Sequence, residues 1–352
     1  MVLIDGSYGE GGGQVLRGAV ALSCLTGQSA TVFNIRGRRP KPGLQPQHLI
    51  SIEAAAAISG AEVDGAIAGS TEVSFRPKEI VGGSYVFDIK TAGSVTMVVQ
   101  AILPMLIFAN QPSEIRVIGG TDVPWSPPVD YMKHVALPAL GAMGVEAGIE
   151  VLRRGHYPKG GGEVVLRATP VKSVRPIRAL ERGPVQSIRG LSHCTNLPEH
   201  VSVRQAASAE GTLREKGNAN VRISTEVQNT AGSPGSGIVL WAEVGGDVRI
   251  GSDALGAREK RSEEVGSEAA GRLLAELQTG LAVDSHLGDM LILYMAIAKG
   301  VSEAGLASLT MHSETMMWIT KAFLGVEWQV KKTPAGAAVV RVDGAGIVNR
   351  RE

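Results

Sequence analysis

The sequence has few cysteines, few aromatic residues and almost no net charge. Its 352 residues include two cysteines, Cys24 and Cys194. These are too few for a disulfide framework or a cysteine metal cluster, so we expect both to be buried as small hydrophobic residues. Aromatic residues make up 4% of the chain, which requires a core of aliphatic side chains. The net charge of +1 argues against wrapping a long nucleic acid by bulk charge, but it leaves open recognition of one chain end by a local patch.

Long apolar runs are also absent. The longest spans 95–109 and is interrupted by Gln100 and Pro104, so it is short of a membrane span and predicts a buried helix. The N-terminus contains Asp5 and Glu10 and lacks the basic segment and apolar segment of a signal peptide. We therefore expect a cytoplasmic protein that has no membrane partner.

Glycine, by contrast, is abundant, with 45 residues. It does not recur every third residue, which excludes a collagen-like chain, and it indicates tight turns and close backbone approaches. The hydrophobic fraction of 44% and the charged fraction of 20% are those of an ordinary globular protein, which excludes a disordered chain.

One supersecondary pattern occurs three times. Each copy has an apolar helix, a short β-branched strand, a polar turn and a second helix that ends near a glycine (Gly60, Gly144 or Gly325) before another strand. In the first copy, the predicted first helix, strand and second helix are 14–26, 31–36 and 47–59. In the second copy they are 94–110, 114–118 and 129–143. In the third copy they are 286–299, 308–312 and 314–324. This pattern predicts an α/β fold of three βαβ-type units that bury their apolar faces against one another.

Residues 184–279 interrupt this pattern. They contain strand-like runs and helix-like runs, which we place at 185–191, 198–216, 221–226, 237–243 and 262–278. We expect a small inserted domain at 184–279 within a large domain formed by 1–183 and 280–352. A divergent further repeat is the alternative.

A glycine-rich segment near the N-terminus could bind an anion. Residues 5–17 read DGSYGEGGGQVLR and include Glu10, Gln14 and Arg17. Glycines before a helix let backbone N–H groups point at a phosphate, and the helix start adds positive potential. Glu10 could hold a divalent cation against phosphates, and Arg17 could add a charge-assisted contact. A flexible turn is the alternative.

A basic cluster follows the first predicted strand. Residues 11–52 contain no acidic residue but include Arg17 and the basic run 36–41, in which Arg36 and Arg39 lie, and Gln47 and His48 come soon after. Ligands gather outside strand ends in α/β sheets, so the cluster predicts a phosphate site. A solvated surface loop is the alternative.

Two further segments could contact a ligand. Residues 121–128 follow the second predicted strand, and their prolines form a rigid surface that could flank a planar base. None of the seven histidines has the spacing of a helical zinc site. His312 ends the predicted strand 308–312, where a neutral imidazole could be a nucleophile or a general base. An ordinary histidine at a strand end is the alternative. Asp289 is either the cap of a helix or a contact to a ligand.

These motifs resemble the RNA 3'-terminal phosphate cyclase family over essentially the whole chain. Residues 154–164, RGHYPKGGGEV, match the glycine signature of that family, and the phrases around Glu10, Arg36 to His48, Thr121 to Pro128 and His312 to Thr315 match in order. The resemblance implies three units, each a four-stranded sheet with two helices, together with a small inserted domain. This architecture is similar to that of the enolpyruvyl transferases.

The resemblance also implies a reaction and a set of site residues. ATP and an RNA 3'-phosphate would give an RNA 2',3'-cyclic phosphate, AMP and pyrophosphate, with His312 as the nucleophile that carries AMP. Glu10 would bind Mg²⁺ or Mn²⁺, and Pro127 and His286 would sandwich the adenine. The full nucleotide pocket would be Gln14, Arg17, Gln100, Pro127, His286, Leu287, Gly288, Asp289 and Met290. The pocket for the RNA terminal phosphate would be Arg36, Arg39, Gln47 and His48.

Two positions depart from the family, and two other functions compete. Bacterial members commonly have Tyr at the position of His286, and many members have Asn at the position of Met316. The competing functions are an inactive cyclase-like ribosome-assembly factor, which lacks the nucleophilic histidine, and an enolpyruvyl transferase. His312 favours the cyclase. The sequence leaves open whether the chain forms a homodimer and whether it acts on DNA ends. It also leaves open the preferred metal, the RNAs used and the role of the inserted domain.

Overall fold

A computed structural model describes residues 1–230, 232–246, 248–333 and 336–349. It shows a mixed α/β protein with four sheets of four strands each. The predicted fold class is therefore confirmed.

The first unit spans residues 2–76 and forms one sheet and two helices. Its elements are β1 (Val2–Asp5), α1 (Gly13–Thr26), β2 (Ala30–Phe33), α2 (Pro46–Ser59), β3 (Glu62–Asp64) and β4 (Val73–Arg76). Both helices end at a left-handed glycine, Gly27 after α1 and Gly60 after α2. Glycine adopts this conformation without a steric cost, which is why it commonly ends helices.

The second unit spans residues 84–169 and has the same order of elements. They are β5 (Ser84–Asp88), α3 (Val95–Leu106), β6 (Ser113–Gly119), α4 (Val129–Tyr131), a π-helical turn (Met132–Ala136), α5 (Leu137–Ala142), β7 (Glu146–Arg153) and β8 (Gly162–Thr169). The helix α3 is almost entirely buried, as the apolar run predicted.

The third unit is split by the inserted segment. It begins with the two-residue strand β9, and the insertion follows before its first helix. The elements up to the end of the insertion are β9 (Arg178–Ala179), β10 (Ser187–Thr195), α6 (His200–Glu215), β11 (Val221–Gln228), β12 (Gly235–Glu243), β13 (Arg249–Leu255) and α7 (Ser262–Gln278).

The third unit then resumes with two helices and three strands. These are α8 (Ser285–Ile297), β14 (Val301–Leu306), α9 (Met311–Leu324), β15 (Trp328–Lys332) and β16 (Ala338–Asp343).

The sheet order shows that the three units are copies of one topology. Their orders are β1-β2-β4-β3, β5-β6-β8-β7 and β9-β14-β16-β15. In each sheet the first two strands are parallel and the other pairings are antiparallel. The inserted sheet has the order β11-β10-β12-β13, so it is not a further copy of this topology.

Two hydrophobic clusters hold the layers together. The larger one is formed mainly by the three units, with Val239, Trp241 and Val248 of the inserted segment packed into it, and the smaller one lies between the inserted sheet and its helices α6 and α7. Both consist mainly of aliphatic side chains, as the low aromatic content predicts, and Cys24 and Cys194 are buried as expected. No helix in the described part of the chain is long and apolar enough to cross a membrane.

The predicted strand at 308–312 is wrong. The strand of the third unit is β14, which ends at Leu306, and residues 311 and 312 begin α9. The reason is a helix cap, because the hydroxyl of Thr310 accepts a hydrogen bond of 3.0 Å from the N–H of Ser313. This contact satisfies a free N–H of the first helical turn. It therefore stabilises the start of a helix at residues whose composition favours a strand.

Candidate active site

His312 lies in the first turn of α9 and faces the N-terminal glycine-rich loop. Its side chain is 40% exposed, and its Nε2 is 3.5 Å from Oε2 of Glu10. Gln14, in α1, donates a hydrogen bond of 3.2 Å from Nε2 to the backbone carbonyl of His312. The sequence-predicted Glu10, Gln14 and His312 therefore meet at one place, although His312 occupies a helix start and not a strand end.

Contacts between the glycine-rich loop and α9 hold this arrangement. Gly9 has a positive φ of 59°, and a Cβ atom there would lie 2.4 Å from Oγ1 of Thr315. Thr315 is one turn after His312, so both residues lie on the same side of α9. The rings of Tyr8 and Trp318 stack beside them, with centroids 4.1 Å apart. The loop can approach α9 this closely only because residue 9 has no side chain.

Asp289 supports the start of α9 from the neighbouring helix. Its Oδ1 accepts a hydrogen bond of 2.8 Å from the hydroxyl of Ser313 and a close one from the hydroxyl of Thr310. Burial raises the pKa of its carboxyl group, and these hydrogen bonds oppose that effect. Asp289 therefore bonds to the cap residue of the helix that carries His312.

The cap of α8 is a residue that the sequence analysis missed. Asp284 accepts hydrogen bonds of 3.0 Å from the N–H groups of His286 and Leu287, and it also accepts one of 2.6 Å from the hydroxyl of Tyr131. The idea that Asp289 caps α8 is therefore wrong. The signal that could have identified Asp284 is an aspartate directly before an apolar helix.

Basic side chains surround the start of α1, a place that we call the α1 recess (Gly12, Gly13, Arg17, Arg39 and His48). A Cβ at Gly13 would lie 2.3 Å from Nε2 of His48 and 3.2 Å from Nη1 of Arg17, and one at Gly12 would lie 3.3 Å from Nη2 of Arg39. Gly12 caps α1 without a side-chain hydrogen bond. The α1 recess thus contains the first N–H groups of α1 together with the side chains of Arg17, Arg39 and His48. Such a set of N–H donors is what an anion site requires.

His48 is a neutral hydrogen-bond donor in this recess. It is 4% exposed, and its Nδ1 accepts a hydrogen bond of 3.1 Å from the N–H of Gln45. Burial lowers the pKa of His48 to about 3, and the positive charges of Arg17 and Arg36 act in the same direction. Since Nδ1 is an acceptor, Nε2 carries the proton of the neutral ring and faces Gly13. Burial also lowers the pKa of Arg17 to about 10, which leaves it charged at neutral pH.

The other predicted phosphate ligands divide into two groups. Arg39 forms an ion pair of 2.7 Å with Glu10, so it joins the recess to His312. Arg36 has a positive φ of 56° and donates to the backbone carbonyls of Lys41 and Gly43, the latter at 3.3 Å. Its side chain therefore shapes its own loop. Gln47 occupies the first turn of α2, next to His48.

A cleft next to the recess brings together five of the predicted nucleotide-pocket residues. They are Gln14, Arg17, Gln100, Asp289 and Met290. The rest of the wall is mostly apolar, with Leu103, Leu140 and Leu293 among its residues. Arg17 borders both the cleft and the α1 recess, so a phosphate chain could extend from one into the other.

Four predicted nucleotide contacts lie outside the wall of that cleft. Leu287 is fully buried in the core, and Gly288 packs against Leu306, where a Cβ would be 3.3 Å away. His286 is 50% exposed, and its ring lies edge-on to Tyr131 at 5.7 Å. Pro127 lies just before α4, and its carbonyl accepts a hydrogen bond of 2.8 Å from Thr96. A sandwich of adenine between Pro127 and His286 stays a prediction.

The glycine signature, residues 154–164, begins with an arginine that is buried and makes structural ion pairs. Arg154 is 1% exposed, and its guanidinium forms ion pairs with Asp122, Asp130 and Glu226 at 3.2, 2.8 and 2.9 Å. These carboxylates raise the pKa of Arg154 against the effect of burial. The ion pairs join the second unit to β11 of the inserted segment.

Comparison with known proteins decides the family. A family model for RNA 3'-terminal phosphate cyclases matches residues 8–330. The chain belongs to this family. It is 52% identical over 341 residues to the RNA 3'-terminal phosphate cyclase of Thermococcus gammatolerans, which covers 97% of each protein. It is 47% identical over 345 residues to the cyclase of Pyrobaculum aerophilum, which covers 98% of this chain and 99% of the relative.

One departure from the family pattern has a structural explanation. Met316 follows Thr315, where many cyclase family members have Asn. The side chain of Met316 is buried, and a Cβ at Gly18 of α1 would lie 2.9 Å from its Cε. Met316 therefore packs α9 onto α1 and lines the apolar side of the cleft.

Proposed function

We propose that this chain uses ATP to convert an RNA 3'-terminal phosphate into a 2',3'-cyclic phosphodiester, with His312 as the covalent carrier of AMP. Membership of the family supports the overall reaction. The observation that carries the proposal is the exposed imidazole of His312, which lies at a helix start beside Glu10 and Gln14. An accessible neutral imidazole is a good nucleophile at neutral pH.

The first step forms the enzyme adduct. Nε2 of His312 attacks the α-phosphorus of ATP, the bond from that phosphorus to the bridging oxygen breaks, and pyrophosphate leaves. Phosphoryl chemistry depends mostly on positioning and on neutralising charge. The start of α9, Arg17 and Arg39 would supply positive potential next to the reacting phosphate.

The next two steps transfer AMP and close the ring. An oxygen of the RNA 3'-phosphate attacks the phosphorus bound to His312, the P–N bond breaks, and the imidazole is released. The 2'-hydroxyl oxygen then attacks the 3'-phosphorus, loses its proton, and expels AMP. We propose that the α1 recess, with Arg39 and His48, binds the terminal phosphate, and that Gln47 lies at its edge.

We propose that a divalent cation binds beside Glu10. Mg²⁺ usually binds through one or two carboxylates together with substrate phosphates and waters, and Mn²⁺ has similar ligand preferences. The Glu10 side chain is 28% exposed and is close to both His312 and Arg39, so its carboxylate could hold such an ion against ATP. The ion would neutralise charge on the phosphates.

The test is covalent labelling with ATP that carries a label on the α-phosphate. The purified chain is incubated with labelled ATP and Mg²⁺ or Mn²⁺, and the products are separated on a denaturing gel. We expect a labelled protein that is labile in acid, stable in alkali and absent when EDTA is added. His312→Ala should lose the label, whereas His200→Ala, at an exposed histidine of α6, should keep it.

The other outcomes identify the competing functions. A label that persists in folded His312→Ala would move the nucleophile elsewhere. A folded chain that forms no label with either metal would favour the assembly-factor function. In the same reaction, RNA with a 3'-phosphate should acquire a phosphatase-resistant cyclic end, which an enolpyruvyl transferase would not produce.

A further inference from the structure

A second cluster of polar side chains lies outside the proposed active site. Asp122 follows β6, His156 lies within the glycine signature, and His193 is in β10 of the inserted segment. All three are at least 96% buried, with exposures of 3%, 4% and 0%. One potential ligand atom of each residue lies within 4.8 Å of those of the other two.

Hydrogen bonding within the described residues leaves this cluster incomplete. Oδ1 of Asp122 and both ring nitrogens of His193 are buried without a hydrogen-bond partner in that part of the chain. Nε2 of His193 is 3.1 Å from Oδ1 of Asp122, yet the two atoms are not aligned for a hydrogen bond. Buried polar atoms rarely stay unpaired, so these atoms point to a missing ligand.

The spacing suits a metal ion. A tetrahedral zinc ion holds N and O ligands at about 2.0–2.1 Å, which places two ligand atoms about 3.3 Å apart. The pair formed by Asp122 and His193 has nearly this separation at 3.1 Å. Since all three ligand atoms lie within 4.8 Å of one another, they need to approach by no more than about 1.5 Å to bind one ion.

Outer contacts already orient two of the three side chains, those of Asp122 and His156. The other carboxylate oxygen of Asp122, Oδ2, accepts hydrogen bonds of 2.6 Å from Thr121 and 3.2 Å from Arg154. Nε2 of His156 lies 3.1 Å from the hydroxyl of Thr195. Metal ligands in proteins are commonly fixed in this way by a second layer of hydrogen bonds.

Two glycines of β12 make room for the imidazoles. A Cβ at Gly235 would lie 2.2 Å from Cγ of His156, and one at Gly237 would lie 3.0 Å from Nε2 of His193. They are two residues apart in a strand, so they open the same face of the inserted sheet. Any other residue at 235 would displace His156.

The local charge also favours a cation. Arg154 is the shared partner of Asp122, Asp130 and Glu226, so three carboxylates surround one guanidinium and these four side chains together carry a charge of −2. A divalent cation bound by Asp122 would neutralise it. The cluster lies between the second unit and the inserted sheet, where burial makes unbalanced charge costly.

We propose that Asp122, His156 and His193 bind one zinc ion that joins the glycine signature to the inserted sheet. Two imidazoles and one carboxylate suit zinc, whereas Mg²⁺ prefers oxygen ligands alone. A water molecule completes the tetrahedron. This site is separate from the proposed cation beside Glu10 and does not depend on the proposed reaction.

The test measures metal binding by the full chain without any substrate. The purified protein is stripped with a chelator, dialysed and titrated with zinc chloride or cobalt chloride. We expect one equivalent of zinc per chain and, with cobalt, the visible absorption of a tetrahedral site. Saturating zinc should also raise the midpoint of thermal unfolding.

Variants separate this site from others. His193→Ala and Asp122→Asn should each lower the bound metal to less than a tenth of the wild-type value, whereas His200→Ala should bind as the wild type does. Glu10→Gln should also keep the full equivalent, which distinguishes the cluster from the active site.

Two results would overturn the proposal. One is a folded wild-type chain that binds neither zinc nor cobalt. The other is a His193→Ala chain that binds as much metal as the wild type. If His193→Ala does not fold, the metal content of His193→Gln and the cobalt spectrum of the wild type test the same site.

Discussion

His312 is accessible because it occupies the second position of α9, where no preceding turn covers the helix. The N–H groups at the start of a helix carry partial positive charge. A phosphate bound to Nε2 of His312 would therefore lie close to these groups. The same residue at the end of a buried strand would lack this potential.

His48 makes the free energy of unfolding depend on pH. Its pKa is lowered to about 3 in the folded chain, while that of an unfolded histidine is about 6.5. Between these values only the unfolded chain binds the proton, so stability falls as the pH is lowered below about 6.5, by up to about 1.4 kcal/mol per pH unit. Between about pH 7 and about pH 5, the free energy of unfolding should therefore fall less in His48→Gln than in the wild type. Denaturant unfolding at the two pH values measures this difference.

The matched control for this prediction is His200→Gln. His200 is exposed at the start of α6, so its replacement should leave the pH dependence unchanged. Equal pH dependence in wild type and His48→Gln would show that His48 is not held neutral in the folded chain.

At the residue scale, types and motifs were predictable but contacts were not. The sequence motifs brought Glu10, Gln14 and His312 into one proposed site, and the structure places them within hydrogen-bonding or near ion-pair distance. The pairing of Arg39 with Glu10 and the inward turn of Arg36 depend on loop geometry, which no local pattern encodes. For the same reason Asp284 and the buried Arg154 were missed as structural residues.

At the scale of elements, the start of α1 depends on the small size of Gly13. A Cβ there would lie 2.3 Å from Nε2 of His48, so Gly13→Ala must displace the His48 ring from the α1 recess. A displacement of about 1 Å in a reacting site can lower a rate by about 100-fold, and we expect a loss of that order in RNA cyclisation.

The control is another helical glycine with free space around it. A Cβ at Gly211 of α6 would meet nothing within 4 Å, so Gly211→Ala should leave the reaction unchanged. Steady-state cyclisation of a labelled RNA end compares the two variants. Full activity of Gly13→Ala would exclude the recess from substrate binding.

The cap of α9 provides a second prediction at this scale. Thr310 accepts the N–H of Ser313 and donates to Asp289, so Thr310→Ala removes both contacts. We expect the free energy of unfolding to fall by about 0.5–2 kcal/mol and the labelling of His312 to slow. Thr310→Ser keeps the hydroxyl and should restore both. Denaturant unfolding and labelling rates measure the effects, and an unchanged Thr310→Ala would argue against the cap.

Sequence patterns located most helices but not every strand. Gly60 and Gly325 mark the ends of α2 and α9, as predicted, because glycine readily takes the left-handed conformation that ends a helix. The strand β13 was not predicted, and the strand predicted at 308–312 is a helix start. Short strands are formed by pairing with distant partners, so local composition identifies them poorly.

At the scale of the whole molecule, we propose that residues 184–279 fold as a small domain within a large one formed by 1–183 and 280–352. Two observations support the division. The inserted sheet has its own strand order and its own hydrophobic cluster, to which Ile188, Leu213 and Leu273 belong.

The buried ion pairs of Arg154 should be important for the stability of this arrangement. Removing one partner of a buried network leaves uncompensated charge, so Arg154→Ala should lower the free energy of unfolding by about 3–5 kcal/mol. Arg204, whose exposed ion pair with Glu263 is on the surface of the inserted segment, provides the control. Arg204→Ala should change stability little, because solvent screens that pair. Denaturant unfolding measures the stability of both variants. Equal losses would show that the buried ion pairs of Arg154 stabilise the fold no more than a surface pair does.

The position of the insertion has a consequence for the folding kinetics of the chain. The strand β9 pairs with β14, although roughly a hundred residues of inserted chain separate them, and closing so long a loop costs entropy. The ends of the insertion are tied together, since the N–H of Arg182 donates a hydrogen bond of 3.0 Å to the carbonyl of Gly280. Once the insertion has folded, β9 and α8 are connected as if by a tight turn. The pairing of β9 with β14 then requires closure of a much shorter loop, which costs less entropy.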